Sequence, residues 1–489
     1  MKNFALALFC FSSFLCFSQQ PASDASMVEK GLSKKAIMTN NSLVKNLPFK
    51  NIGPAIMSGR VVGFAVNPVN PTEFYVGYAS GGVWHTTNNG TTFTPVFDSS
   101  PTQNVGCLAM DWKTKTLWVG TGEVNSSRSS YAGIGLLKSS DNGANWENVG
   151  LKDSHHISNI LINPANSDEI VVGVVGHLYS KNAERGIFKT MDGGKTWSKT
   201  LFINDQSGVI ELVSDPNNFS LMYASSWDKD RKAWNFKGDG PGSGIYKSID
   251  AGSTWANVSA KGSGFPVGEG VGRIGLAIYD EKTVYAIVDN QNRREDEKSD
   301  SDGDGLKKDR FKTMTNSEFL ALDDNILGAF LKSNNFKEKY SAEYVKEMVG
   351  AGTANPIDLA TYLEDANSLL FDTPVVGAEL YRTTDGGKTW TKRHEGYLDD
   401  IYYSYGYYFG KVHVAPQDKN AIYIYGVPIL KSKDGGKSFT SIGAENVHSD
   451  HHALWINPNL PGHLINGNDG GVNISYDDAP SGNENNSSN

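Results

Sequence analysis

An all-β fold is predicted: a seven-bladed β-propeller of four-stranded antiparallel blades, with a small helical insert in blade five. Three observations predict it. A turn motif, best seen in Thr190-Met191-Asp192-Gly193-Gly194-Lys195-Thr196-Trp197, recurs along the chain. An apolar strand ending in Asn-Pro precedes a second apolar strand, as in Val61 to Pro68, Ile160 to Pro164 and Leu454 to Pro458. The two signatures alternate at a spacing of about 50 residues, which marks a propeller blade. A lone unit of this kind could not bury both of its faces, so the units must pack around a ring.

Taken in order, first strands are expected to begin near Val61, Val105, Ile157, Val209, Ile274, Lys411 and Ala453. Second strands read as Phe74 to Gly77, Ile170 to Gly173 and Ile422 to Tyr425. A third strand such as Gly186 to Lys189 leads into the turn motif, and a fourth follows it. Copies of the motif span Thr86 to Phe93, Ser139 to Trp146, Ser248 to Trp255, Thr383 to Trp390 and Ser432 to Phe439. Each position has a physical job. The Asp carboxylate accepts from backbone N–H groups of its own turn, and Gly supplies the positive φ. The Ser or Thr hydroxyl adds a local bond, and the terminal aromatic drops into the core. A degenerate copy begins at Ser475-Tyr476-Asp477 and lacks both the Gly and the aromatic. Its missing fourth strand would leave an open edge. Phe49-Lys50-Asn51-Ile52-Gly53 matches the strands that follow other copies, so residues 49–53 are expected to close blade seven from the opposite end of the chain.

The 489 residues divide into a signal peptide (1–18), a flexible leader (19–47), the propeller (48–480) and a disordered tail (481–489). Met1-Lys2-Asn3 followed by an apolar stretch too short to span a bilayer predicts secretion, to the periplasm, cell surface or medium. Of the three cysteines only Cys107 lies beyond that stretch, so no disulfide framework is expected. Residues 290–376 interrupt blade five: Asn292 to Lys312 is charged, and Ser341 to Met348 and Pro356 to Leu370 have helical character. The net charge of −9, with no basic stripe, excludes nucleic acid as a partner. No later segment is apolar enough for an integral membrane protein, and a monomer is expected.

Because the motif joins strands three and four, it marks one face of the ring. The loops joining strands two and three, and those between blades, gather at the other. That face is elaborated with Glu123, Asn125, Arg128, His177, Arg185, Asp228, Trp227, Trp234, a tyrosine cluster at Tyr402 to Tyr408 that includes Tyr405, and the His448-Ser449-Asp450-His451-His452 run. Arg60, His156 and Arg273 fall at the start of innermost strands, near the channel mouth. Loops on a rigid scaffold are where binding groups concentrate. Arg60, Asn125, Arg128, His177, Trp227, Trp234, Arg185, Arg273, Tyr405, His451 and His452 are the candidate ligand contacts. Glu123, Asp228 and Asp469 are the candidate catalytic carboxylates.

His448, Asp450, His451 and His452 offer zinc-type ligands. Adjacent histidines on an extended strand point to opposite sides, so a hydrogen-bonded corner is the competing reading. Asp300, Asp302 and Asp304 before Gly305 resemble the front half of a calcium loop, but Phe311 stands where its bidentate Glu belongs. A solvated acidic linker is the competing reading there, and no cofactor is required by the sequence.

The turn motif resembles the Asp-box, or BNR repeat. Residues 48–480 resemble sortilin-type propellers in their boxes. Asn51-Ile52-Gly53-Pro54, Ser58 to Val61, Gly120 to Glu123 and His451 to Trp455 resemble secreted bacterial BNR-repeat proteins labelled glycosyl hydrolases. Sialidases share the box, but the early Arg-Ile-Pro segment of that family is absent, and four scattered arginines (Arg60, Arg128, Arg185, Arg273) do not make its triad. Xyloglucan-cleaving relatives use two propellers, with one catalytic Asp from each. Ala79 stands where the first of those carboxylates is expected, while Asn468-Asp469-Gly470-Gly471 carries its acid one position later. The resemblance implies either a propeller that binds an extracellular peptide, protein or polysaccharide on the loop-rich face, or a glycoside hydrolase or lyase acting there.

Overall fold

The computed structural model describes residues 22–47, 59–233, 235–294, 306–308, 310–334, 336–337, 339–363, 375–402 and 405–478. Seven antiparallel sheets follow one another along the chain. Their first strands are Val61–Val66, Val105–Asp111, Ile157–Asn163, Gly208–Asp215, Val271–Ile278, Lys411–Ala415 and His451–Ile456. Every one begins at or near its expected start, the largest offset being Val271 for Ile274. Blades one to six have four strands in sequential order, and blade seven has three among the described residues. First strands of neighbouring blades pack side by side, and that of blade seven packs on that of blade one, so the ring closes. The strand expected at residues 49–53, the signal peptide and the tail lie outside the described residues.

Second strands are sandwiched between adjoining blades and are apolar on both faces. Phe74–Tyr78 is buried at every position, as a strand covered on two sides should be. Core clusters therefore straddle blades. Val61, Phe74 and Val76 of blade one pack with Ala453, Ile465 and Ile474 of blade seven.

The boxes fasten this ring. Thr190 Oγ1 donates to Asp192 Oδ1 at 2.7 Å and accepts from the Gly194 N–H at 3.0 Å. The Thr196 N–H donates to Asp192 Oδ1 at 2.9 Å. Gly194 has φ +91°, and a Cβ there would lie 3.2–3.3 Å from Val149 and Trp118. The aromatic reaches the preceding blade: Trp197 Nε1 donates to Val149 O at 2.7 Å, and Trp390 Nε1 to Val258 O at 2.9 Å. In the degenerate copy Asp478 takes over this role, accepting from Tyr423 of blade six at 2.6 Å and pairing with Lys431.

Two local features depart from the sequence reading. The leader contains a helix, Ala25–Asn41, whose N-cap Asp24 accepts from the Met27 N–H and which buries no residue. An N-cap carboxylate followed by good helix formers accounts for it. The loop after the second strand of blade four forms its own ribbon, Asp230–Arg231 with Phe236–Lys237.

The insert is a separate compact unit, residues 292–377 with 403–405. It contains helices Arg310–Thr313, Asn316–Leu320, Asp324–Ser333, Ala342–Gly350 and Pro356–Leu363. Thr315 and Glu318 form a capping box at the second of these. Phe311, Phe319, Leu327, Phe330 and Val345 build a core of its own. None of the described helices is long and apolar enough to cross a membrane.

Candidate functional site

At the end of the ring opposite the boxes, the first strands are irregular in a repeated way. In blades one to five and blade seven, one extra residue interrupts the pairing near the strand start. Such bulges re-aim side chains. In blade seven His451 pairs with Asn468 and Ala453 with Gly467, which leaves His452 as the extra residue. In blade five the bulge falls between Val271 and Ile274 and carries Arg273.

These residues meet over the channel. Arg60 pairs with Glu123 through both carboxylate oxygens, the Nη2–Oε2 contact being 3.1 Å. Glu123 is 1% exposed and also accepts from Ser130 Oγ at 2.8 Å. Asn125 spans the mouth. Its Nδ2 lies 3.4 Å from both Glu123 Oε1 and His452 Nδ1, and its Oδ1 accepts from Arg273 Nη1 at 3.0 Å. His452 Nε2 is 3.0 Å from Asp469 Oδ1, whose carboxylate also lies 3.9 Å from Arg60 Nη1. Arg273 further donates to the carbonyls of Tyr407 and Tyr408. Blades one, two, five and seven are thus tied by one polar network.

The electrostatics follow from burial. Burial lowers His452 below the usual histidine value, despite the opposing effect of Asp469. A neutral ring satisfies both neighbours, with Nε2–H donating to Asp469 and Nδ1 accepting from Asn125. Burial alone would raise Asp469, yet the hydrogen bond from His452 and the charge of Arg60 hold it below the usual carboxylate range. Arg60 and Asp469 keep side-chain exposures of 18% and 30%, and Tyr408 stands beside Arg60, with the guanidinium 5.4 Å from its ring centre. Deeper in the channel, Lys411 of blade six pairs with Glu211 of blade four at 2.6 Å, and Asn159 of blade three donates to the same carboxylate at 3.1 Å. Burial pushes the Cys107 thiol up to about 12, which removes it as a nucleophile.

Other expected contacts are placed differently. Trp227 is fully buried, its Nε1 donating to Gly238 O, and it packs with Val124, Val175 and Ile210. It offers no face to a ligand, because the ribbon after its strand folds Phe236 over it. Arg185 is also buried, and its guanidinium donates to four carbonyls, those of Val175, Gln206, His177 and Ser180. It braces a loop and is not open to a carboxylate. Asp228 accepts from Gln206 and from the Gly242 N–H, also as a loop staple. Arg128 is exposed. His451 meets Asn466, while His448 meets the Ser449 carbonyl. His451 and His452 therefore serve different partners. Asp450 is half-buried at φ +65°. Tyr402 is buried, Tyr405 falls in the other unit, and Trp234, Asp300, Asp302 and Asp304 lie outside the described residues.

Sequence reasoning missed one cluster on this face. Asp153, His155 and His177 place their ligand atoms within 4.8 Å of one another, the only such set of three among the described residues. The signal was present in Asp153-Ser154-His155-His156, but only the fold brings it to His177. Sequence reasoning also missed Asp289, a fully buried carboxyl in the second strand of blade five, which burial pushes up to about 7.

Comparison with known proteins agrees with this architecture. A family model for the BNR/Asp-box repeat matches residues 381–392. The chain is a BNR-repeat β-propeller. Its fold is similar to that of a GH74 xyloglucanase from Xanthomonas campestris, at 13% identity and a TM-score of 0.51, with 88% of this chain and 53% of that one covered. An ancestral GH74 enzyme gives the same identity and TM-score over 87% of this chain and 45% of that one. The propeller therefore spans about half the length of those enzymes, and at such identity the likeness is one of fold. A structure of YCF48 bound to D1 peptide gives a TM-score of 0.44 at 11% identity, covering 88% of this chain and 99% of that one. No curated protein matches the sequence significantly.

Proposed function

We propose that this propeller is a binding protein that holds an extracellular peptide, protein or glycan across the channel mouth. Arg60 and Asp469 are its accessible polar contacts, and Tyr408 is the neighbouring ring. The N-terminal apolar stretch from Phe4 to Phe17 supports secretion. What favours binding over hydrolysis is that the three candidate catalytic carboxylates, Glu123, Asp228 and Asp469, are already engaged. Inverting glycoside hydrolysis needs one carboxyl holding a proton and a second about 6.5–9.5 Å away. Glu123 is buried and occupied by Arg60, Ser130 and Asn125. Asp469 is held ionised by His452 and Arg60. Asp228 is occupied by its own loop, and Ala79 has no carboxylate to offer. An accessible Arg beside an accessible Asp suits a ligand with both acceptors and donors, such as a peptide backbone or a polyhydroxylated chain.

A binding panel tests this reading. Plant and algal polysaccharides and a displayed random-peptide library are presented to the wild type and to Asp469→Asn, Tyr408→Ala and Lys195→Ala. Retention that falls about tenfold or more in the two mouth variants, and not in the box-face variant Lys195→Ala, is expected. Retention that is equal in all four proteins would overturn the placement of the site.

A further inference from the structure

We infer that Asp153, His155 and His177 form a binding site for a divalent transition-metal ion of the zinc type, with a coordination position open to solvent. The site does not depend on the function proposed above. Two imidazoles and a carboxylate are a donor set that divalent first-row metals favour. Asp153 Oδ1 lies 2.9 Å from His177 Nε2, and the His155 ring stacks on that of His177 with centroids 3.6 Å apart. Zinc–ligand bonds of about 2.0–2.2 Å put tetrahedral ligand atoms about 3.3–3.5 Å apart. The two rings are stacked 19° from parallel, so the His155 ring must turn about its side-chain bonds for its nitrogen to share an ion with His177 Nε2. Asp153 and His155 are half-exposed and His177 is buried, so the remaining position faces outward.

The surrounding groups hold Asp153 and His177 in place. His177 Nδ1 is 2.8 Å from Ser180 Oγ, which orients the ring and leaves Nε2 toward Asp153. Asn182 clamps the two ligand-bearing loops together: its Nδ2 donates to Asp153 O at 2.8 Å, and its Oδ1 accepts from the His177 N–H at 3.0 Å. Glu184 accepts from the Asp153 N–H at 2.8 Å. Metal-ligating histidines and carboxylates elsewhere are braced in the same manner.

The backbone that carries His155 is fixed as well. His155 sits at φ +56°, in the left-handed region, where histidine is one of the more frequent non-glycine residues. Its carbonyl is fixed by the Gly133 N–H at 2.7 Å. The loop of blade two presses so closely that a Cβ on Gly122 would lie 1.8 Å from the same oxygen. The surroundings thus fix the backbone conformation that lays the His155 ring over His177. The nearby positive charge of Arg185 is turned into four carbonyls, while Asp153 and Glu184 supply negative charge.

The full-length chain, carrying no histidine tag and stripped with a chelator, is titrated with Zn²⁺ by calorimetry and with Co²⁺ by visible absorption. One Zn²⁺ per chain is expected, with a Co²⁺ ligand-field band of low-coordinate type. His177→Ala and His155→Asn should abolish both, Asn being chosen because it tolerates the left-handed backbone. Asn182→Ala should weaken binding roughly 10–100-fold, and His448→Ala should leave it unchanged. Melting curves in chelator show which variants remain folded. If His177→Ala does not fold, His155→Asn at the half-exposed position decides. Failure of the wild type to bind Zn²⁺, or binding untouched in the folded ligand variant, overturns the assignment.

Discussion

On the box face one carboxylate geometry is repeated, whereas at the channel mouth no two carboxylates are placed alike. Asp141, Asp192, Asp250, Asp385 and Asp434 each accept from a Ser or Thr two residues earlier and from backbone N–H groups of the same turn. The Thr196 hydroxyl and N–H hold Asp192 down at about 2, and Thr389 does the same for Asp385. At the mouth, Glu123 is buried in an ion pair, Asp469 is half-exposed on a neutral histidine, and Asp289 is buried with one oxygen unpartnered. Repetition marks what every blade must do, which is to bind its neighbour. Departure from repetition is what distinguishes the end of the ring where binding is proposed.

Substitutions on the two faces sharpen this contrast. The largest effect is expected at the mouth. Arg60→Ala strands a buried Glu123 carboxylate and should cost about 3–5 kcal/mol in denaturant unfolding. Adding Glu123→Gln should restore much of that loss, and a double variant no better than the single would break the account of the pair.

Asp289 comes next. Its folded value is raised from 3.8 to about 7 by burial, so between those values the unfolded chain is ionised while the folded chain still holds the proton. Stability should therefore fall as pH rises from about 4 to about 7, by at most about 4 kcal/mol. Asp289→Asn should flatten this slope in melting curves and leave the protein more stable than wild type at pH 8. A slope that survives the substitution would assign it to other groups.

On the box face Trp390→Phe keeps the buried ring but leaves the Val258 carbonyl without its donor. A loss of about 1–3 kcal/mol is expected, with ligand retention unchanged. The smallest effect belongs to Lys195→Ala, exposed on a box turn, which should stay within about 0.5 kcal/mol of wild type.

The fold was largely legible because its signals are local. Asn-Pro turns, alternating apolar strands and box residues all act within a few positions of one another, so blade starts such as Val61, Ile157 and Lys411 could be read directly. The mouth was only partly legible. Arg60, Glu123, Asn125, Arg273, His452 and Asp469 could be assigned to one face from strand order, but their pairing crosses the ring between distant blades. The bulge that frees His452 leaves no compositional trace. Trp227 resembled an exposed platform because its burial depends on a ribbon formed by residues further along the chain. His155 escaped notice for a related reason, since its partner His177 lies on another loop and its left-handed backbone is imposed by Gly122 of the preceding blade.

Release of reducing ends separates the proposed binding at the mouth from cleavage there. Xyloglucan and the polysaccharides retained in the panel are incubated with wild type, Glu123→Gln and Asp469→Asn, and new reducing ends are counted. None above the protein-free control is expected for any of the three. Release by the wild type that disappears in either carboxylate variant would contradict that expectation and make the mouth a hydrolytic site.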